Sequence, residues 1–145
     1  MDIRELYQEV IIDHNRNPRN HRAMDHATCE ANGLNPLCGD KLTVYLRIHH
    51  GFIEDISFVG CGCAISQASA SLMTDALKGK TVVDAHKMFD RFHAMITEGG
   101  ESSTLDKLTV LAGVRSFPAR VKCATLAWHT LDAALKKDHL VVSTE

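Results

Sequence analysis

No apolar run in these 145 residues approaches the roughly 20 that a membrane-spanning helix needs, so no membrane segment is expected. Neither sign of charge dominates: 16 Lys and Arg stand against 18 Asp and Glu, a formal net charge of −2 with a pI near 6.5. Without a basic excess, nucleic acid is not expected as a partner. Met1-Asp2-Ile3-Arg4-Glu5 is polar and amphipathic, unlike a secretory signal, and a cytoplasmic location is the expectation. There are no repeats and no low-complexity tracts. Proline occurs only three times, so Pro18, Pro36 and Pro118 each punctuate the chain. No C-x-x-C pair is present, which sets aside zinc ribbons and thioredoxin-type motifs. The five cysteines (29, 38, 61, 63 and 123) are an odd number and cannot all pair internally. In a reducing compartment, metal or thiol chemistry is the better reading.

What is present is an ordinary globular composition, 45% hydrophobic and 23% charged, long enough to bury a core without disulfide staples. One domain over residues 1–145 is expected. Ile3 to Asn15 reads as a helix, with Ile3, Leu6, Tyr7, Val10 and Ile11 at helical spacing. Asn17-Pro18-Arg19-Asn20 ends it and opens a polar loop. There His14, Arg16, Arg19 and Arg22 form a solvated end or, as the second reading, a docking surface. Ala27 to Leu34 is a weak strand, in which Cys29 reads as a packed thiol. Lys41 to His49 is a stronger one, since Leu42, Val44, Leu46 and Ile48 alternate strictly. His49-His50-Gly51 reads as a turn whose adjacent histidines diverge into solvent. Phe52 to Val59 returns as a strand. Helices are expected from Ile65 to near Gly79, from Val82 to Thr97, briefly from Leu105 to Val114, and from about Cys123 to Lys137. Gly99-Gly100-Glu101-Ser102-Ser103 reads as a loop. Strands precede helices, so the fold class is α+β: a small antiparallel β-meander of about three strands packed against several α-helices.

Three stretches concentrate the chemistry. Asn35-Pro36-Leu37-Cys38-Gly39-Asp40 sets a thiol and a carboxylate two positions apart, and i and i+2 share one face of a strand. Gly60-Cys61-Gly62-Cys63 and Ala119-Arg120-Val121-Lys122-Cys123 supply further thiols. These two stretches could complete a site begun by Cys38 and Asp40; three thiolates and a carboxylate would make a four-coordinate metal site, less usual than the common Cys and His sets. Cys63 and Cys123 each fall at an expected helix start, where unpaired N–H groups and the helix dipole favour thiolate. Arg120 and Lys122 would favour ionisation of Cys123 further.

At these residues the chain resembles the U-type iron–sulfur cluster assembly family, the IscU/SufU/NifU N-terminal fold, from Ile3 through Leu135. The carrying motifs are Asp13-His14 with Asn17-Pro18-Arg19-Asn20; Asn35-Pro36-Leu37-Cys38-Gly39-Asp40; Gly62-Cys63-Ala64-Ile65-Ser66; Ala68-Ser69-Ala70-Ser71; and Phe117-Pro118-Ala119-Arg120-Val121-Lys122-Cys123-Ala124-Thr125-Leu126-Ala127-Trp128. The IscU branch has a histidine just before its last cysteine and a proline-rich stretch upstream. Here Lys122 and Ser116-Phe117-Pro118-Ala119-Arg120 stand at those places. The 60 positions between Cys63 and Cys123 (123 − 63) leave room for the insertion of the SufU branch, roughly Ala94 to Thr109. The chain looks like SufU.

That resemblance implies zinc held by Cys38, Asp40, Cys63 and Cys123, and sulfur transfer from a pyridoxal-phosphate cysteine desulfurase of the SufS type. In the family mechanism a partner residue takes over one zinc position, and the freed Cys38 thiolate attacks the partner's persulfide. Arg120 is the candidate for orienting the transfer or contacting the partner; a structural salt bridge at the site's edge is the other reading. Downstream cluster assembly or acceptor proteins complete the expected partners. One departure from the family stands out, since both Cys61 and Cys63 are present where each branch has one cysteine. Cys63 is favoured as the ligand; Cys61 is a spare ligand, a persulfide relay or a bystander. The alternative, from a different functional class, is a scaffold on which a [2Fe–2S] cluster is assembled on Cys38, Cys63 and Cys123, with Cys61 as a further donor, and transferred onward. A cysteine hydrolase is a remote third reading, because nothing places a histidine beside Cys38 and Asp40 serves that chemistry poorly.

Overall fold

The alternation of Leu42, Val44 and Leu46 with polar neighbours dictates a strand with one buried face. The computed structural model, which describes residues 3–99, 105–136 and 142–143, builds its sheet around that strand. β2 (Asp40–His49) lies between β1 (Cys29–Asn35) and β3 (Phe52–Cys61), antiparallel to both. The expected meander is therefore present. A two-residue strand, β4 (Val142–Ser143), adds in parallel to β1 and gives the order β3-β2-β1-β4. It is too short to carry an alternation that sequence could reveal.

His50 and Gly51, at φ 52 and 78, close the β2–β3 hairpin as a two-residue turn that needs left-handed backbone. Both histidines at its tip are exposed, as expected. Their rings do not diverge, however; they stack with centroids 4.0 Å apart.

The described residues form four α-helices, α1 (Ile3–Arg16), α2 (Ala64–Leu77), α3 (Val82–Glu98) and α4 (Pro118–Leu135). α4 packs on β1 and β2 and α2 on β3, while α1 lies against α2 and α3 against α4. Between α3 and α4 the segment Asp106–Ser116 is a 3₁₀ helix. Its Thr109, Val110, Gly113 and Val114 are poor α-formers, which accounts for the tighter coil. α3 is capped by Thr81, whose side chain accepts the Asp84 N–H at 3.0 Å, and ends on left-handed Gly99. Beyond Gly99 the expected loop lies outside the described residues, as do the middle of the expected insertion and Lys137.

Most of α2 is buried, and its middle is built of small residues. Ala68, Ser69, Ala70 and Ser71 let α1 and α4 approach it closely, and the Ser69 hydroxyl donates to the Ala124 carbonyl. Ser71 Oγ accepts the Arg19 N–H at 2.8 Å and lies 2.7 Å from His14 Nδ1. His14 is thus a buried brace, 1% exposed, and neither the solvated end nor the docking residue expected. Burial, and then the charge of Arg19, hold it below the ordinary histidine range. Arg19 and Arg22 are committed to Asp13 and Asp55.

α4 lies flush against β1 because residue 33 is glycine: a Cβ there would strike Thr130 Oγ1. Trp128 of α4 stacks on Phe92 of α3 at 4.6 Å and anchors the core between helices and sheet. The free edge of β3 is blunted by the loop after α1. Asn20 accepts the Phe58 N–H at 3.0 Å and His21 bridges to Phe58, which limits pairing with foreign strands. Among the described residues no helix is long and apolar enough to cross a membrane.

Candidate metal centre

β1 and β2 are joined by Pro36-Leu37-Cys38-Gly39, a turn closed by Cys38 N–H donating to Asn35 O at 3.3 Å. Gly39 takes φ 70, a conformation open to glycine at no steric cost. The turn leaves Cys38 half-buried beside Leu37, which is 66% exposed. Asp40, the first residue of β2, points inward and is fully buried.

The second stretch supplies the floor. Gly62 has no side chain where one would collide with Asp40 Oδ1, so the carboxylate reaches the Cys63 N–H at 2.8 Å. Cys63 is the N-cap of α2, its Sγ accepting the Ser66 N–H at 3.5 Å. That placement matches the expected helix start.

Cys123 does not. α4 begins at Pro118, so Cys123 lies in its second turn and not at its N-terminus. Proline lacks the N–H that a first helical residue leaves unpaired anyway and has the right φ; here it opens the helix that it was expected to precede. Cys123 is fully buried. Burial first, then the neighbouring Cys38, Cys63 and Asp40, push its thiol far above the ordinary range. The expectation that Cys123 stands at a helix N-terminus is therefore corrected, and its burial opposes ionisation instead of favouring it.

α4 meets β1 along one stripe, with Cys123, Leu126 and Thr130 at i, i+3 and i+7. Leu126 and Thr130 pack over Gly33, and Cys123 falls beside Asn35, whose Nδ2 lies 3.5 Å from Sγ. The result brings Cys123 Sγ within 3.1 Å of Cys38 Sγ. Ligand atoms of Cys38, Asp40 and Cys123 all lie within 4.8 Å of one another. Cys63 stands at the margin of this group, close enough to Cys123 to help raise its thiol. Arg120 is solvent-exposed, and its guanidinium is held above its ordinary pKa by hydrogen bonding to Cys123 and by the nearby Cys63 and Cys38 sulfurs. It also lines an open groove of about 630 Å³ with Ile11, Ile65, Val114 and Phe117.

Cys61 is not brought to the centre. It pairs across from Lys41, one register step beyond the inward Gly60–Leu42 pair, so it belongs to the opposite face of the sheet and is exposed. Cys29 is half-buried against the core, the packed thiol expected. Sequence reasoning missed Asn35. It sits directly opposite Asp40 in the β1–β2 register, a position derivable once the turn is assigned to Pro36-Leu37-Cys38-Gly39.

The donor set suits a thiophilic, four-coordinate ion. Two sulfurs and a carboxylate oxygen converge with a third sulfur alongside, and both Asp40 oxygens are oriented by N–H donors, from Cys63 and Asn35.

Comparison with known proteins bears on this arrangement. Residues 6–138 match the model of the NifU-like N terminal domain. The chain is similar to the zinc-dependent sulfurtransferase SufU of Bacillus subtilis, 42% identical over 92% of this chain and 91% of that protein. It is 41% identical to the iron–sulfur cluster assembly scaffold protein IscU of Streptococcus pyogenes, over 93% of this chain and 86% of that one. Among solved structures, a SufU-type protein from Fervidobacterium islandicum AW-1, described as a candidate scaffold for iron–sulfur cluster assembly in the SUF system, superposes with a TM-score of 0.84 at 34% identity, over 92% and 99% of the two chains.

Proposed function

The chain belongs to the NifU-like N-terminal family of U-type iron–sulfur cluster assembly proteins, and from that premise we propose that it is a zinc-dependent sulfur acceptor for a SufS-type, pyridoxal-phosphate cysteine desulfurase. The observation that carries the reading is the convergence of Cys38, Asp40 and Cys123 within 4.8 Å. With Cys63 they would hold the zinc. A bound zinc ion keeps coordinating thiols deprotonated at neutral pH and guards them from side reactions.

Within this set Cys38 is the sulfur acceptor. It is carried on an exposed turn, whereas Cys123 is enclosed by α4 and the sheet. Its thiolate forms a bond to the terminal sulfur of the partner's cysteine persulfide. The partner's S–S bond breaks and its electron pair leaves with the partner's cysteine thiolate. Cys38 ends as the persulfide, with no net oxidation or reduction and no further reactant. Arg120 places a permanent positive charge beside these sulfurs and favours the anionic persulfide. The groove ending at Arg120, with Phe117 61% exposed at its rim, is where the partner's segment is expected to dock. A soluble cytoplasmic setting and onward delivery to downstream assembly or acceptor proteins complete the proposal.

A second reading, a scaffold for a [2Fe–2S] cluster, is favoured by the near-equal identity to an IscU scaffold. Metal and acid-labile sulfide content of protein purified without oxygen separates the two, measured beside Cys61→Ala. About one zinc per chain without sulfide, unchanged in the variant, is expected. Iron with matching sulfide, lost in Cys61→Ala, would overturn the zinc reading and make Cys61 a cluster ligand.

A further inference from the structure

Along the inner face of the β1–β2 ladder the opposed pairs run Ala31–Val44, Gly33–Leu42 and Asn35–Asp40. Two apolar pairs are followed by one polar pair, and all six residues are buried. Directly opposed residues share a face and touch, so this polar pair stands at the end of the hydrophobic row, where the candidate ligands begin.

An amide NH₂ group carries two hydrogens. Asn35 Nδ2 lies 3.1 Å from Asp40 Oδ2 and 3.5 Å from Cys123 Sγ. Both donors are therefore directed at candidate ligand atoms from separate elements, the start of β2 and the second turn of α4. Turning the amide over would set its oxygen against the carboxylate with no hydrogen between them, so the donors have one orientation. Asn35 Oδ1, by contrast, has no hydrogen-bond partner among the described residues, although the side chain is wholly buried. A leucine would fill similar space without leaving a buried carbonyl oxygen unmet. Fold stability alone does not account for an asparagine here.

We infer that Asn35 is a positioning residue for the metal centre: its amide fixes Asp40 and Cys123 relative to one another and draws electron density from both ligand atoms. Asp40 is then held on both sides, by Asn35 on Oδ2 and by the Cys63 N–H on Oδ1. Its carboxylate is steered to the centre but is a weakened, exchangeable donor. Outer partners of this kind orient the ligands that touch a metal and tune their strength. The role rests on the zinc reading above.

Asn35→Leu is the variant that separates positioning from structure. Without metal its urea midpoint is expected to match or exceed that of the parent. Its zinc affinity, measured against a chromophoric chelator, is expected to fall about 10- to 100-fold, and the thiolate-to-metal absorption of its cobalt-loaded form to shift. A merely structural asparagine would move stability and affinity together. Asn35→Leu that folds and keeps the parent's zinc affinity and cobalt spectrum overturns the role. Should that variant fail to fold, zinc affinities of Asn35→Ala, Asp40→Ala and the double variant decide. Losses that fail to add support action through Asp40, and strictly additive losses overturn it. A parent protein that takes up neither zinc nor cobalt overturns the zinc reading and this role with it, whereas a tight-binding parent with an equally tight Asn35→Leu overturns the role alone.

Discussion

The candidate centre has two unlike walls. On one side Cys123 is set in the body of α4, with no measurable exposure, on a helix clamped by Gly33 beneath it and by the Trp128–Phe92 stack farther along. On the other side Cys38 rides a four-residue turn between Asn35 and Asp40, next to a leucine with two thirds of its surface in solvent. One thiol is positioned by packing and the other is presented by a turn. On the proposed zinc-dependent sulfur-acceptor reading, a centre needs both, one to hold an ion and one to offer a nucleophile, and the two would fall to different elements.

The largest test of that division is a pair of truncations. Trp128→Ala should cost about 3–5 kcal/mol in urea unfolding, the usual range for a buried aromatic. Leu37→Ala, one residue from Cys38, should stay within about 0.5 kcal/mol. A large loss at Leu37 would show that the turn is part of the packed body after all.

A smaller effect is expected where the packed wall meets the sheet. Gly33→Val should destabilise by about 1–3 kcal/mol, the range for overpacking, because its side chain would displace Thr130 and lift α4 from β1. Zinc affinity should fall as well, since Cys123 would move away from Asn35. Retained affinity at reduced stability would show that Cys123 follows the sheet independently of the helix contact.

The smallest effect is one of pH, read by urea midpoints of chelator-treated protein. On the packed wall, burial and then the charge of His93 hold His129 below the ordinary histidine range. Neutral His129 is therefore favoured in the native state. Its contribution to stability is complete above about pH 6.5, the unfolded value, and is lost as pH falls through that point toward the lowered native one. His14, lowered by its own burial, acts in the same window and the same sense. His129→Gln should flatten part of the decline between pH 7.5 and 5.5; an unchanged slope would remove His129 from the account.

The same division governs what the sequence made legible. Alternation in Leu42, Val44 and Leu46 identified β2, and the close spacing of Cys38 and Asp40 marked them as one site, because both signals lie within a few residues. Cys38 nevertheless sits on a turn and not on the strand face expected. The family was legible for the same reason, since its motifs are local. Cys123 was expected at a helix start because Pro118 reads equally as a breaker or as a first helical residue, and only tertiary packing decides between them. His14 sits among charged neighbours, so its burial against Ser71, 57 positions away, left no local trace. Asn35 has no conspicuous spacing of its own; its role appears only when α4 is laid over β1. Cys61 and Cys63 differ by two positions, yet the chain leaves the sheet between them at Gly62, so the strand rule that i and i+2 share a face does not extend across the pair.

The spacing of the ligands also orders the centre in time. Asn35 and Asp40 are five positions apart and meet as soon as one short hairpin closes, whereas Cys38 and Cys123 are 85 apart and meet only when α4 docks. Local contacts form quickly, while distant ones wait on loop closure. On the ribosome, where synthesis runs from the N-terminus, the turn emerges with its thiol and carboxylate long before the buried cysteine exists. On the zinc reading, tight metal binding would thus be reserved for the finished chain, and an incomplete one would have no closed site in which to trap an ion.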